Sequence, residues 1–417
     1  MKRIVWSLVF FVAALLIMLR TLAVAQEAEQ PAQLHGYFTA VPLHGATNEQ
    51  ALSGAAAATT VPMFGYTVTA SRDASTRTGV MIGRSPFAHG ARTTNIKTVL
   101  IPVIFKLKDF ANNSNTDTFD PTATDATCSP HGKPLTLVQS SPIFQPVDFT
   151  MPASGGINVG TGQYIDEFQR ASFWSNVMVT GDRFHNVLSP VSVAPTQTVT
   201  VTSTSSGLGY QKNQFGGSPC GPLGVIDVSF WDPSLGGINS PGEAQTLITN
   251  LTTAGTIGPT TLPIFVFYNV VIAMGTSPFS NCCILGYHSS QGSPVQTFSV
   301  SDYETTRLFG PGQDISALSH EVGEWMDDPL GNNFVPSWGN IGQVTGCPLT
   351  PNLEVGDPLS DGHEFPLSAI GGMTYHPQEL AFFSWFMATP SLGVDGDFSN
   401  NGTFKGDAVL CPPGGTN

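Results

Sequence analysis

The sequence predicts a mixed α+β fold with a β-rich N-terminal half, and two kinds of pattern support this prediction. Near-continuous apolar runs, typical of buried strands, occupy residues 98–107 (TVLIPVIFKL) and 262–274 (LPIFVFYNVVIAM). Apolar residues recur at helical spacing in residues 160–178 and 314–329. Because strand patterns dominate the first half and a strand followed by a helix occurs late in the chain, we expect both element types to build one core.

The N-terminus has the features of a secretory signal peptide. Lys2 and Arg3 precede an apolar run at residues 4–19, and the small residues Ala23 and Ala25 follow it. The run is shorter than the roughly 20 residues that a membrane-spanning helix needs. We therefore expect residues 1–25 to be cleaved near Ala25 and the mature chain to be secreted, to the periplasm or the extracellular space, with no membrane span. An uncleaved membrane anchor is the alternative.

The composition is consistent with export and excludes several partners. Only 11% of the residues are charged, so Ser, Thr, Asn, Gln and Gly must supply most of the polar surface. The net charge of −14 and the absence of a Lys/Arg cluster argue against binding to nucleic acid or to anionic membranes. Six cysteines behind a signal peptide predict disulfide bonds, and their spacing does not indicate a cysteine-ligated zinc.

The mature chain is predicted to contain one domain behind a leader. Residues 26–60 are rich in Ala, Gln and Thr, which predicts a mobile leader. Residues 61–417 are predicted to form one metallohydrolase-like domain, β-rich to about residue 255 and with the metal-site half from about residue 256. The other elements that we expect are strands at 63–70, 198–205, 224–231 and 295–303, a helix at 241–254 and a loop at 110–135.

The predicted helix at residues 314–329 (DISALSHEVGEWMDDP) has two different faces. Asp314 is a suitable N-cap, and Pro329 ends the helix. The apolar residues fall on one stripe, whereas His320 and Glu324, four residues apart, lie together on roughly the opposite side. We expect this helix to bury its apolar stripe and to present the polar side to a ligand.

The polar residues of this helix have the spacing of a hydrolytic metal site. Ligands at positions i and i+4 of a helix point in the same direction, and the residue after the first ligand can act as general base on metal-activated water. The sequence therefore predicts His320 and Glu324 as metal ligands and Glu321 as the catalytic base. A carboxylate in place of a second histidine lowers the Lewis acidity of the ion and shifts preference slightly toward Mn²⁺ or Ca²⁺, with Zn²⁺ as the first expectation.

A third ligand is expected from the segment 353–358 (LEVGDP), which places two carboxylates close together. Glu354 is the first candidate for the ligand with Asp357 as its orienting partner, and the reverse assignment stays open. His363 is a further candidate. His288 and His376 are candidate catalytic residues as donors to a substrate oxyanion, with a structural role as the alternative for His376.

The string at 319–332 (SHEVGEWMDDPLGN), followed by a tryptophan and by LEVGDPL, resembles the SHELxEAxTDP…W…EIxD pattern of secreted bacterial zincin-like proteins. A more distant similarity is to the exordium or phosphate-induced family of plant cell walls. The stretch at 282–289 (CCILGYHS) matches the same group loosely. The resemblance covers residues 281–357. It implies a zincin-like catalytic core, a metal held by His320 and Glu324, and peptidase activity.

These observations lead to a predicted function and an alternative. We expect a secreted metal-dependent hydrolase, most directly a zinc metallopeptidase, whose strand at 295–303 pairs with an extended peptide or protein substrate. The alternative is a non-catalytic extracellular protein in which the metal braces the fold and the Ser/Thr-rich surface contacts carbohydrate or cell wall. A glycosidase that uses two carboxylates would leave the histidine one turn from Glu324 unexplained.

Overall fold

The computed structural model describes most of the chain after residue 58, together with one short strand before it. The described residues are 37–40, 59–88, 92–108, 116–151, 156–178, 184–201, 210–211, 220–274, 282–310, 314–338, 352–360, 362–369 and 372–406. The strands are β1 (Tyr37–Ala40), β2 (Met63–Thr69), β3 (Thr76–Ile82), β4 (Arg92–Lys108), β5 (Thr116–Phe119), β6 (Val147–Met151), β7 (Ile157–Gly162), β8 (Phe184–Val193), β9 (Gln197–Val201), β10 (Tyr210–Gln211), β11 (Leu223–Asp227), β12 (Thr261–Tyr268), β13 (Val270–Ala273), β14 (Cys282–Gln291), β15 (Gln296–Tyr303), β16 (Leu367–Ser368) and β17 (Thr374–Tyr375). The helices are α1 (Pro134–Gln139), α2 (Tyr164–Ser172), α3 (Trp174–Met178), α4 (Val228–Trp231), α5 (Glu243–Thr253), α6 (Ser316–Asp327) and α7 (Phe383–Met387), with 3-10 turns at Pro233–Gly236, Asp357–Leu359 and Val394–Gly396.

A large mixed sheet organises these elements. Its main path runs β10-β11-β13-β14-β15-β12-β4-β5, with β1 also paired to β14 and with β8 and β9 paired to β4. β12 is parallel to both of its neighbours, β4 and β15, whereas β14 is antiparallel to β15. Strands from both halves of the chain therefore share one sheet. The combination of this sheet with packed helices confirms the predicted mixed α+β class.

The sheet separates two apolar cores. Along β12, Ile264 and Val266 belong to the core that contains the apolar side of α6, whereas Phe265 and Phe267 belong to the core that contains α5. Successive side chains of a strand point to opposite faces, so both faces of β12 are covered. This explains why the sequence of β12 is apolar at nearly every position.

Two predicted strands and one predicted helix have different bounds in the structure. The predicted strand at 224–231 stops at Asp227, because the carboxylate of Asp227 accepts a hydrogen bond from Ser229 N at 2.8 Å and caps α4. The predicted strand at 262–274 is divided into β12 and β13 by Asn269, whose φ of 51° is left-handed. Residues 160–162 of the predicted helix at 160–178 belong to β7, and the rest is divided into α2 and α3.

The strand predicted to bind substrate is not at an edge. β15 lies between β14 and β12 and pairs with both, so its backbone groups are already used. The prediction that residues 295–303 pair with an extended substrate is therefore wrong. Inside the predicted leader, β1 pairs with β14 in parallel and places Ala40 opposite His288.

The key helix is shorter and more enclosed than predicted. α6 begins at Ser316, and Ile315 occupies the N-cap position without a side-chain cap. The predicted capping residue, Asp314, instead accepts hydrogen bonds from the backbone N–H groups of Ile315 and His376. Every residue of α6 is buried. Its polar side therefore faces other protein segments and not solvent.

The structure bears on some of the predictions that concern export, namely the disulfides and the absence of a membrane span. A disulfide joins Cys128 to Cys220, as expected for some of the cysteines, and Cys282 is bonded to Cys283. Residues 1–25, Cys347 and Cys411 lie outside the described residues. No helix in the described part of the chain is long and apolar enough to cross a membrane.

The central position of β12 leads to a stability prediction. Ile264 has no exposed surface, whereas Ile238 is 52% exposed. We expect Ile264→Ala to lower the free energy of unfolding by about 2–5 kcal/mol, because it leaves a cavity. The matched variant Ile238→Ala should change it by no more than about 0.5 kcal/mol. Urea denaturation measures both values, and equal effects would contradict the placement of β12.

Candidate metal centre

Six buried ionisable side chains from three separate segments meet beside α6. Each of the six is at most 3% exposed. They are His288 from β14, His320, Glu321 and Glu324 from α6, and Glu354 and Asp357 from the segment 352–360. Hereafter they are called the His/carboxylate cluster.

Two glycines allow the three segments to approach each other. A Cβ atom at Gly286 of β14 would lie 2.7 Å from Glu321 Cγ, and one at Gly356 would lie 2.4 Å from His320 Nδ1. Both distances are shorter than a carbon atom can tolerate. The absence of side chains at these positions therefore brings β14 and the segment 352–360 into contact with the polar side of α6.

The tautomer of His320 is set by Gln378. Gln378 Nε2 donates to Gly356 O at 2.6 Å, so its amide oxygen faces His320 Nδ1 at 2.9 Å. An amide oxygen accepts only, and Nδ1 must therefore carry the proton. In the neutral imidazole the lone pair is then on Nε2, which lies 2.9 Å from Glu324 Oε1 and 3.7 Å from Asp357 Oδ1. A fixed rear hydrogen bond of this kind is typical of metal-ligating histidines.

His288 has the same arrangement with the two ring nitrogens exchanged. Its Nε2 lies 2.9 Å from the carbonyl oxygen of Asp328, so Nε2 donates. Burial lowers the pKa of His288 and favours the neutral ring. Its Nδ1 lone pair is then directed toward Glu321 Oε2 at 3.2 Å and Glu324 Oε2 at 3.7 Å. With both nitrogens directed into the protein, the predicted role of His288 as donor to a substrate oxyanion is not supported.

Glu324 lies between the two imidazoles. Its Oε1 is on the side of His320 and also accepts from the backbone N–H groups of Gly356 and Asp357, at 3.1 and 3.2 Å. Its Oε2 is on the side of His288. One carboxylate therefore contacts both halves of the cluster, one oxygen on each side.

The pKa values in the cluster diverge. Burial, followed by the negative charge of Glu324, raises the pKa values of Glu321, Glu354 and Asp357 well above their usual range. Burial also acts to raise the pKa of Glu324, but its contact with His320 outweighs this and holds the pKa below its usual value. Glu324 is thus the carboxylate most easily ionised, and strongly shifted groups of this kind are typical of functional sites.

Several carboxylate oxygens in the cluster lack a hydrogen-bond donor among the described residues. They are Glu321 Oε1, Glu324 Oε2, both oxygens of Glu354, and Asp357 Oδ1. Glu354 can bond to Glu324 only when one of the two is protonated, because ionised carboxylates are acceptors alone. Burying a polar atom without a partner destabilises the fold, so we expect these oxygens to bind a cation or to be protonated.

The structure separates the candidate third ligands. Asp357 is the residue on the side of His320, whereas Glu354 Oε2 lies 3.9 Å from His288 Nε2. Of the two assignments left open by the sequence, this favours Asp357 as the partner of His320 and Glu324.

Gln378 was not identified from the sequence, because no pattern in the residues around it indicates that its side chain contacts His320, 58 residues earlier.

Two predicted histidines lie outside the cluster. His376 Nδ1 lies 3.3 Å from Asp314 Oδ2, and the backbone N–H of His376 donates to the same carboxylate. This pairing with Asp314 is compatible with the structural alternative, and the catalytic role of His376 stays a prediction. His363 lies 3.9 Å from Glu379 Oε2 and does not join the six groups.

A second histidine and carboxylate group is already compensated by the protein. Asp166 lies 2.7 Å from His185 Nδ1 and accepts from the backbone N–H of Asn186. Glu167 pairs with Arg170 at 3.2 Å. Because a guanidinium supplies the positive charge here, this group does not require a metal ion.

No family model, no curated protein and no solved structure matches the chain. The fold and the cluster alone therefore define its class, which is an α+β protein with a buried His/carboxylate cluster. The similarity to zincin-like proteins in the sequence stays a prediction.

The close contact at Gly356 leads to a prediction. We expect Gly356→Ala to lower the free energy of unfolding by about 1–3 kcal/mol, because the new methyl group must displace His320 or the backbone. Gly258 has no neighbour within 4 Å of an added Cβ atom, so Gly258→Ala serves as the matched control. Equal melting temperatures for the two variants would contradict the described packing.

The raised pKa values predict an unusual pH dependence for the metal-free protein. Burial raises the pKa of Asp327 to about 7 and that of Asp328 to about 8. A carboxyl with a raised pKa stabilises the fold while protonated, and this contribution is lost as pH rises through the folded-state value. We therefore expect the free energy of unfolding to be lower at about pH 8 than at about pH 5.

The variant Asp327→Asn tests whether the ionisation of Asp327 causes this pH dependence. Asparagine does not ionise, and it keeps an oxygen for the hydrogen bond from Gln169. It should reduce the difference between the two pH values. Urea denaturation at both pH values measures it. A metal-free protein that is more stable at the higher pH, or an unchanged difference in the variant, would contradict the account.

Proposed function

We propose that this protein is a secreted metal-dependent hydrolase, most directly a zinc metallopeptidase that uses metal-activated water. One observation carries the proposal. The two buried imidazoles donate their rear N–H groups to carbonyl oxygens, and their remaining nitrogens are directed at carboxylates that have no lysine or arginine partner among the described residues. Lone pairs and carboxylates facing each other are repulsive without a cation or a proton between them.

His320 Nε2, Glu324 and Asp357 are the proposed ligands of the ion. The three ligand atoms lie within 4.8 Å of one another, which is compatible with binding to one centre. Imidazole and carboxylate are established zinc ligands, and a three-residue set leaves a coordination position open. When bound, the ion would polarise a carbonyl group and lower the pKa of water.

Glu321 is the proposed general base. It follows the first ligand directly, and its Oε1 has no hydrogen-bond donor in the described part of the chain. It can therefore accept a proton from an attacking water and later transfer it to the leaving amine. Its other oxygen, Oε2, lies 3.2 Å from His288 Nδ1.

The direction of substrate approach is indicated by exposure. Within the cluster only Glu354 and Asp357 have measurable exposure, 3% each, so the segment 352–360 is the proposed side of entry. The proposal of a peptide or protein substrate is supported by the zincin-like string. Export is supported by the predicted signal peptide and by the disulfide between Cys128 and Cys220.

The burial of the cluster favours a second candidate function. A site that is at most 3% exposed is also what a structural metal requires. In this alternative the ion braces α6 against β14 and the segment 352–360, and the protein binds carbohydrate or cell wall without catalysis. The two candidate functions differ in the role of Glu321, which is the general base in the hydrolase and has no catalytic role in the structural alternative.

The variant Glu321→Gln separates the two functions. We expect hydrolysis of a denatured protein substrate by the mature chain to fall by at least about 100-fold, because the general base is lost. The ion bound by His320, Glu324 and Asp357 should be retained in the variant. Glu243→Gln, at the start of α5 and outside the cluster, is the control and should keep full activity.

Activity that survives chelation, or equal activity in Glu321→Gln and the wild type, would contradict the hydrolase proposal. A protein without any activity that loses thermal stability on chelation would instead support the structural metal.

A further inference from the structure

We infer that the cluster binds two divalent cations, with Glu324 as the carboxylate that bridges them. The second ion would be held by His288 Nδ1, Glu321 and Glu324 Oε2, with Glu354 beside it. This inference rests on the proposed metal centre and extends it from one ion to two.

The geometry contains two ligand sets that share one residue. His320, Glu324 and Asp357 form the first set, and His288, Glu321 and Glu324 form the second, with the atoms of each set within 4.8 Å of one another. The shared residue uses different oxygens. Glu324 Oε1 lies 2.9 Å from His320 Nε2, and Oε2 lies 3.7 Å from His288 Nδ1. A carboxylate with one oxygen in each set has the arrangement of a bridging ligand, and paired ions in hydrolases lie about 3.5–4 Å apart.

The charges of the cluster match two ions better than one. Its four carboxylates are Glu321, Glu324, Glu354 and Asp357, and each imidazole has one ring nitrogen hydrogen-bonded to a carbonyl oxygen and the other directed at the carboxylates. Within the described residues, no lysine or arginine forms an ion pair with any of the four. One divalent cation would leave an excess of two negative charges in a fully buried site, whereas two divalent cations balance the four carboxylates. Uncompensated buried charge strongly destabilises a fold.

The oxygens without donors lie mostly on the side of His288. An ion between His320 and Asp357 would satisfy Asp357 Oδ1. Glu321 Oε1, Glu324 Oε2 and both oxygens of Glu354 would still lack a partner among the described residues. A second cation next to His288 Nδ1 would take Glu324 Oε2 and Glu321 as ligands, and it explains why a histidine with a fixed rear hydrogen bond lies there.

The ligand chemistry limits the type of ion. Each set combines one imidazole with carboxylate oxygens and contains no sulfur. Such sets suit Zn²⁺ and Mn²⁺. In the two-ion form Glu321 Oε2, the oxygen on the side of His288 Nδ1, is the ligand of the second ion, and Oε1 keeps the proposed role of base. Substitution of Glu321 therefore removes the second ion while the first ligand set stays intact.

The group of Asp166, Glu167 and His185 supplies an internal control. It has the same residue types, and its histidine also lies on a strand of the large sheet. It differs because Arg170 already pairs with Glu167. His185→Gln should therefore leave the number of bound ions unchanged, in contrast to His288→Gln.

The test is the number of ions bound by the mature chain. Metal-free protein is dialysed to equilibrium against Zn²⁺, and bound zinc is measured by elemental analysis. We expect two ions per chain for the wild type and for His185→Gln, and one for His288→Gln and Glu321→Gln. Circular dichroism confirms that each variant is folded.

A spectroscopic measurement on the wild type avoids dependence on the variants. With Mn²⁺ as the probe, electron paramagnetic resonance should show the signal of an exchange-coupled pair at two ions per chain. One bound ion in the wild type, with an uncoupled signal, would overturn the second site and leave the proposed metal centre intact. No bound ion in the wild type would overturn both.

Discussion

The rest of the site depends on one electrostatic constraint, which is the burial of four carboxylates beside two imidazoles. The effective penalty for an uncompensated buried ion is several kcal/mol. A whole domain is stable by only about 5–15 kcal/mol, so the fold cannot carry four such penalties. Among the described residues no lysine or arginine pairs with them. The compensation must therefore come from protons or from cations, and the hydrogen bonds behind His288 and His320 prepare the site for cations.

The fold builds this site from segments that are far apart in the chain. β14 supplies one histidine, α6 supplies three residues within about one turn, and the segment 352–360 closes the site from the opposite side. Two glycines remove the side chains that would keep these segments apart. The backbone N–H groups of Gly356 and Asp357 hold Glu324 between the two imidazoles. The large sheet supports this arrangement, because β14 and β15 are paired strands beneath the helix.

The sequence predicted the local part of this arrangement and not the long-range part. The i,i+4 spacing of His320 and Glu324 identified the helix and its polar side, because helical periodicity is a local property. The choice between Glu354 and Asp357 depends on how a segment about 30 residues later folds back, which no local pattern encodes. The roles of His288 and Gln378 depend on strand register and on a contact across 58 residues. The central position of β15 was missed for the same reason, since a strand that alternates polar and apolar residues has the same pattern at the centre and at the edge of a sheet.

The most direct test of the central claim is X-ray diffraction from crystals of the zinc-loaded mature protein, recorded on both sides of the zinc absorption edge. The account predicts an anomalous peak about 2.0–2.2 Å from His320 Nε2 and from oxygens of Glu324 and Asp357. A second peak is predicted beside His288 Nδ1. A fully zinc-equilibrated crystal with no anomalous peak at this cluster would contradict the account, because the buried carboxylates would then have to be neutralised by protons alone.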